Sequence, residues 1–255
     1  APVSPRGSGS LTTGCVSVLI HLFVAEITPL WAGPSSDATS LLVQGDGRLE
    51  RRADVFARPR IERGWNQGDI HCGWIDFDND GLLDALIASS DYPDRQELKL
   101  YRQRPDHSFE AARTFGWEGA GQISVGDFDG DGDEDILVGR SLNRLPKETR
   151  EALGPSCALF RNDVGNRNGW IQVVLPGPSG GGIGARVLVT TPDGVTRTRE
   201  IRCGLGHAGH NGPPVAHFGL GAHKTARVEV RRPDGGPPVV IEGAAAGQRL
   251  VVGAK

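Results

Sequence analysis

The sequence predicts an all-β protein in which about three incomplete β-propeller-like blades precede a small antiparallel β-sandwich or barrel. Three observations carry this. Gly 37 and Pro 17 among 255 residues, with no collagen-like period, suit short strands joined by many turns. The acidic nonapeptide Asp76-Phe-Asp-Asn-Asp-Gly-Leu-Leu-Asp84 returns 51 residues later as Asp127-Phe-Asp-Gly-Asp-Gly-Asp-Glu-Asp135, and repeats of this period suggest propeller blades. The C-terminal third alternates short apolar segments with Gly/Pro turns.

Along the chain, His21-Leu-Phe-Val-Ala-Glu26 reads as the strand that would follow an acidic loop, yet Gly14 to His21 holds no aspartate, so this first unit looks degraded or truncated. Ser40-Leu-Leu-Val43 and Arg48-Leu-Glu50 flank the turn Gln44-Gly-Asp-Gly47. Each nonapeptide then lies between two strand candidates: 72–75 and Ala85-Leu-Ile-Ala88 for the first, 122–126 and Ile136-Leu-Val138 for the second. Leu98-Lys-Leu-Tyr-Arg102 and Cys157-Ala-Leu-Phe-Arg161 close the two units. One helix is expected at Pro146-Lys-Glu-Thr-Arg-Glu-Ala-Leu153, with Pro in its first turn and Gly154 as terminator. Strands are expected at 170–175, 185–190, 196–202, 226–231, 239–242 and 249–252, with Pro213-Pro214 and Pro237-Pro238 at turns or edges, because proline cannot donate to a ladder.

Composition narrows the function. A hydrophobic share of 38% is enough for a sizeable core, and a net charge of -3 argues against a nucleic-acid binder. Residues 186–255 hold ten Lys/Arg against five Asp/Glu, opposite in sign to the rest. The polar stretch Asn162-Asp-Val-Gly-Asn-Arg-Asn-Gly169 reads as a linker at that change. The longest apolar run, Val16 to Ala25, is ten residues, whereas a spanning helix needs roughly 20. Met is absent and no signal peptide can be read, so a processed product or fragment is expected. Cys15, Cys72, Cys157 and Cys203 lie far apart; three pairings remain open beside free thiols.

The repeats carry the chemistry. Aspartates at positions 1, 3, 5 and 9 surround Gly at position 6, gathering four carboxylates around a sharp turn, where without a cation they would repel one another. Ca²⁺ takes six to eight oxygens, and position 7 would add a backbone carbonyl from Leu82 or Asp133. Magnesium suits the set less well, since it holds its waters and prefers strict octahedral geometry. A helix-loop-helix calcium hand would need Glu at position 12, where Ile87 and Val138 stand inside β-type runs.

These residues resemble the FG-GAP or VCBS repeat, a calcium-loop blade. The resemblance implies two Ca²⁺ sites, with Asp76, Asp78, Asp80 and Asp84, and Asp127, Asp129, Asp131 and Asp135, as ligands. Further on, Gly182-Ile-Gly-Ala-Arg-Val187, His217-Phe-Gly-Leu-Gly221 and Val228-Glu-Val-Arg-Arg-Pro-Asp-Gly235 look like the ASPIC/UnbV domain, in the order met in proteins similar to the cartilage acidic protein family. The implied division is an irregular segment at 1–15, blade repeats at 16–165 and ASPIC/UnbV at 166–255. A closed ring of seven blades would not fit before that domain.

Other motifs yield less. His207 and His210, with His217 and His223 nearby, lack a tight ligand spacing to a carboxylate, and Gly204-Leu-Gly-His-Ala-Gly209 is followed by Asn-Gly-Pro-Pro instead of the helix a pyrophosphate needs. No HExxH or GxxxxGK occurs. The expected function is therefore non-catalytic: a calcium-stiffened, extracytoplasmic protein (secreted, periplasmic or at a cell surface) that presents surfaces to another protein or a glycan in adhesion or scaffolding. Because the ring is incomplete, a homo-oligomer or a place in a larger complex is expected. The alternative is a calcium-stabilised module of a secreted carbohydrate-active or other hydrolytic enzyme, using carboxylates such as Glu110, Glu118 or Glu229.

Overall fold

Short strands hydrogen-bonded to their sequence neighbours dominate the computed structural model, which describes residues 21–24, 40–45, 48–52, 56, 69–89, 97–142, 146–177, 182–203 and 212–253. Cys15, the Gly204–Gly209 stretch, His207 and His210 fall outside these residues. Strands β1 (His21–Val24), β2 (Ser40–Gly45) and β3 (Arg48–Arg52) form an antiparallel sheet in the order β1-β2-β3. The next unit is a four-stranded meander of β4 (Asp69–Ile75), β5 (Asp84–Ser89), β6 (Lys99–Gln103) and β7 (Phe109–Thr114). A third antiparallel sheet, in the order β10-β9-β8, contains β8 (Ala120–Gly126), β9 (Asp135–Arg140) and β10 (Cys157–Phe160). The nonapeptides are thus the β4–β5 and β8–β9 connections. Helix α1 (Lys147–Ala152) lies between β9 and β10, with Pro146 at its N-cap, Gly154 at φ 63 just beyond it and no buried residue. No described helix is long and apolar enough to cross a membrane.

The second and third sheets stack. Strand β5 is buried on both faces: Ala85 and Ile87 pack with Phe56 and Tyr101, while Leu86 and Ala88 join Ile123, Val125, Ile136 and Val138 of the next sheet. A strand covered on both sides needs consecutive apolar residues, which explains the run Ala-Leu-Ile-Ala. The far face of the third sheet is open, with Leu137 37% and Leu159 52% exposed.

The C-terminal third holds two sheets. Strands β11 (Gly169–Val174), β14 (Val215–Gly221) and β17 (Gln248–Val251) form one in the order β14-β11-β17. The other, ordered β13-β12-β15-β16, contains β12 (Arg186–Thr190), β13 (Thr196–Glu200), β15 (Thr225–Arg231) and β16 (Val239–Ala245). Alternate residues from both sheets, among them Ile171, Val173, Val187, Val189, Phe218, Val228 and Val230, share one core. Full burial of each such side chain is worth about 1.5–3 kcal/mol. Pro213 and Pro214 precede β14, and Pro237 and Pro238 precede edge strand β16.

One expectation fails. The domain is not wholly antiparallel, because β17 runs parallel to β11, with Ile171 opposite Gln248 and Val174 opposite Val251. Strand β16 belongs to the other sheet, so the turn at Ala246-Gly247 carries the chain across the core and delivers β17 alongside β11. Gly247 sits at φ 79 and donates its N–H to the Trp170 carbonyl, which fixes that crossing. Strand direction here follows the path of the chain between layers, a non-local property.

Candidate metal centre

Each acidic loop is a pair of left-handed residues held by its own carboxylates. Positions 4 and 6 have positive φ in both copies: Asn79 (53) and Gly81 (90), Gly130 (81) and Gly132 (96). Glycine adopts that region freely, and asparagine is among the few other residues that tolerate it, so the chain can bend back within nine residues. The side chains then wrap the bend in register. Position 3 accepts the N–H of position 5 (Asp80 to Asp78 Oδ1, Asp131 to Asp129 Oδ1, each 3.3 Å), and position 5 accepts that of position 7 (Leu82 to Asp80 Oδ1 2.8 Å, Asp133 to Asp131 Oδ1 3.1 Å). The position-9 aspartates act as clasps. Asp84 accepts from the N–H groups of Phe77 (3.2 Å) and Gln103 (2.8 Å), and Asp135 from those of Phe128 (2.9 Å) and Asn162 (2.7 Å).

This wrapping brings Asp76, Asp78 and Asp84 together, and likewise Asp127, Asp129 and Asp135, with one carboxylate oxygen of each within 4.8 Å of the others in its group. Both groups could coordinate a metal ion. Asp80 and Asp131, at position 5, stand outside these groups: Asp80 Oδ2 accepts from Arg102 Nη2 (3.4 Å) and Asp131 Oδ2 from Asn166 Nδ2 (2.9 Å). Leu82 and Asp133 sit at position 7, as the spacing requires.

The electrostatics favour a hard cation. The first loop is buried, with Asp76 at 0%, Asp78 at 8% and Asp84 at 1% exposure, and Arg102 Nη2 lies 2.5 Å from Asp78 Oδ2. Burial pushes the Asp84 carboxyl up to about 9, against the help of the Gln103 N–H and with further push from Asp76, Asp78 and Asp80. Asp76 rises to about 6 and Asp133 to about 7, burial leading in both. Asp133 Oδ1 is also buried without a hydrogen-bond partner. Carboxylates taken out of water, whose charge Arg102 and Arg199 relieve only in part, are what a divalent ion with an all-oxygen shell would stabilise.

These shifts fix a pH dependence. Without cation, the folded chain holds protons on Asp76, Asp84 and Asp133 that the unfolded chain gives up near 3.8. The stability that those protons contribute is fully present below 3.8 and is lost as pH rises towards about 9. A bound dication requires the deprotonated forms, so its affinity grows across the same window. Thermal melts in chelator should therefore fall between pH 5 and pH 8.5 while the increment added by calcium widens. A calcium increment that shrinks with rising pH would contradict this account.

Residues that the sequence reading passed over complete the centre. The stretch read as a linker is bound to both loops. Asn162 Nδ2 donates to the Phe77 carbonyl (2.6 Å), Asn168 Nδ2 to that of Asp78 (2.7 Å), and the Asn166 N–H to Asp133 Oδ2 (3.1 Å). Arg197 Nε donates to the Gly81 carbonyl (2.8 Å). His217, whose sequence setting is a strand motif, places Nε2 at 2.6 Å from Asn79 Oδ1. Since Asn79 Nδ2 already donates to the carbonyls of Gly132 and Gly165 (3.0 Å each), its Oδ1 is the acceptor and His217 carries its proton on Nε2. Burial lowers His217 to about 4, which keeps it neutral. One signal was available in the sequence: Tyr101-Arg102-Gln103 and Phe160-Arg161-Asn162 occupy matching places, and each amide residue gives its N–H to a position-9 aspartate.

Comparison with known proteins agrees with both halves of this architecture. Residues 76–138 match the family model of the FG-GAP-like repeat, and residues 177–255 match that of ASPIC and UnbV. The chain is similar to cartilage acidic protein 1 of Mus musculus and of Homo sapiens, 32% identical over 170 residues in each case, and to that of Xenopus tropicalis, 28% over 172 residues. The aligned stretch covers 63% of this chain and 25%, 24% and 25% of those proteins, so the chain spans about a quarter of the length of the curated relatives it matches.

Proposed function

We propose that this chain, which belongs to the FG-GAP-like repeat proteins that carry an ASPIC and UnbV domain, is a non-catalytic calcium-binding protein of an extracytoplasmic compartment that serves protein or glycan recognition. The observation that carries the reading is the pair of aspartate triads, each folded around a double left-handed bend. In this reading Asp76, Asp78, Asp80, Asp84 and the Leu82 carbonyl hold one Ca²⁺, and Asp127, Asp129, Asp131, Asp135 and the Asp133 carbonyl the other. Calcium would supply the positive charge and oxygen-coordinating shell that stiffen the loops; the chain's own residues orient the carboxylates and exclude water from the first loop.

The three N-terminal sheets are read as successive propeller blades within 16–165, followed by the ASPIC/UnbV domain within 166–255. Cover for the open face of the third sheet, where Leu137 and Leu159 are exposed, would come from further blades or from a partner. Calorimetric titration of the metal-free chain should give two Ca²⁺ per chain. Asp78→Asn and Asp129→Asn should each reduce this to one, because each substitution removes a charge from a different triad. A chain that takes up no calcium, or that keeps two sites in both variants, would sink the assignment.

A further inference from the structure

We propose that the outer face of the β14–β11 pair is a receptor surface for the two acidic loops of this same chain, and that it accepts the first loop only in the shape that loop takes around its cation. The proposal rests on the calcium reading above and adds the partner surface that senses occupancy. One face of the pair is spent on the core through Ile171, Val173, Ala216 and Phe218. The other presents Trp170, Gln172, His217 and Gly219 as a block of four, since Trp170 pairs with Gly219 and Gln172 with His217 across the strands. Every member of the block meets a loop.

The Gly219 N–H donates to Asp76 Oδ2 (2.9 Å), and Gln172 Nε2 donates to Asp127 Oδ2 (2.8 Å), so the position-1 carboxylate of each loop is held by the same sheet face. Arg249 Nε fixes the Gln172 amide from behind (2.8 Å). His217 bonds the Asn79 side chain, and the Gly221 N–H donates to the Asn79 carbonyl (2.8 Å). A Cβ on Gly219 would overlap the Asn79 backbone, and one on Gly132 would overlap the Trp170 indole, so the fit is at backbone distance in both loops.

These contacts need the left-handed bend at Asn79 and the inward turn of Asp76. Arg102 lies beside Asp78 and Asp80, and Arg197 and Arg199 reach the Gly81 carbonyl; a dication draws the four carboxylates together and sets both features. Occupancy and docking are therefore linked, and by reciprocity a change on the sheet face alters cation affinity. Asn79 is the positioning residue: the second loop has Gly130 at the same place, with nothing within 4 Å of where its Cβ would stand.

Amide hydrogen exchange on the full chain, with calcium and with chelator, tests this. The Gly219 and Gly221 amides should exchange at least about 5-fold faster in chelator. Asn79→Gly keeps the bend and removes the side-chain bonds, so it should lower first-loop affinity by a similar factor and free the same amides even in calcium. Gly219→Ala should lower first-loop affinity without changing any loop residue. Two calcium ions bound with Gly219 and Gly221 exchange unchanged by chelator overturns the linkage and leaves the metal reading standing, whereas no calcium uptake overturns both. The wild-type comparison decides the matter even if either variant fails to fold.

Discussion

Removal of calcium is expected to lower the melting temperature by about 5–10 °C for each site emptied. Calcium at 100 times its dissociation constant stabilises the folded state by about 2.7 kcal/mol per independent site, and in a domain of 150–250 residues each kcal/mol moves the midpoint by about 2–4 °C. The first loop should dominate, because Asp76, Asp78 and Asp84 are all buried, whereas Asp127 is half-buried and Asp129 exposed. Chelation leaves the buried triad with Arg102 beside Asp78 and Asp80, the Arg199 charge acting on Asp76, and protonation of Asp84 and Asp76 for charge relief. Differential scanning calorimetry with calcium, with chelator and after readdition should show a reversible shift. Superimposable melts would mean that the carboxylates are satisfied without an ion.

Alanine at Gly132 should destabilise the protein by about 2–5 kcal/mol, while alanine at Gly130, two residues earlier in the same loop, should cost about 1–2 kcal/mol. Both glycines have positive φ, so each substitution carries the left-handed penalty. They differ in what a Cβ would meet: open space at Gly130, the Trp170 indole at Gly132. The larger cost is therefore an overpacking cost added to a backbone cost, and it should fall with a smaller residue at 170. Denaturant unfolding of both variants, and of Gly132→Ala combined with Trp170→Leu, separates the two contributions. Equal losses at Gly130 and Gly132 would show that Trp170 gives way freely and that the loop–sheet contact is loose.

Much of the site could be read before any coordinates. The identical placement of aspartate and glycine in two copies needs no neighbours to be visible, because the bend, its carboxylate wrapping and the β-run that follows are made within about a dozen residues. The same locality makes β5 and β9 legible as apolar runs bounded by turns, and α1 as a Pro-led, Gly-ended segment. The stretch 162–169 reads as a linker because asparagines in a turn-forming, polar segment look solvated, and only folding shows Asn162, Asn166 and Asn168 reaching the loops.

What the sequence determined by itself is the all-β class, the two acidic bends and the resemblance they carry, since each depends on short-range spacing and on which side chains tolerate a left-handed backbone. What only the tertiary structure decided is the parallel entry of β17 beside β11 and the seating of both loops on Trp170, Gln172, His217 and Gly219. Those features join residues distant in the chain, from Gly132 with Trp170 to Asp76 with Gly219, and the pairing of distant backbone N–H groups with buried carboxylates leaves no periodic trace along the chain.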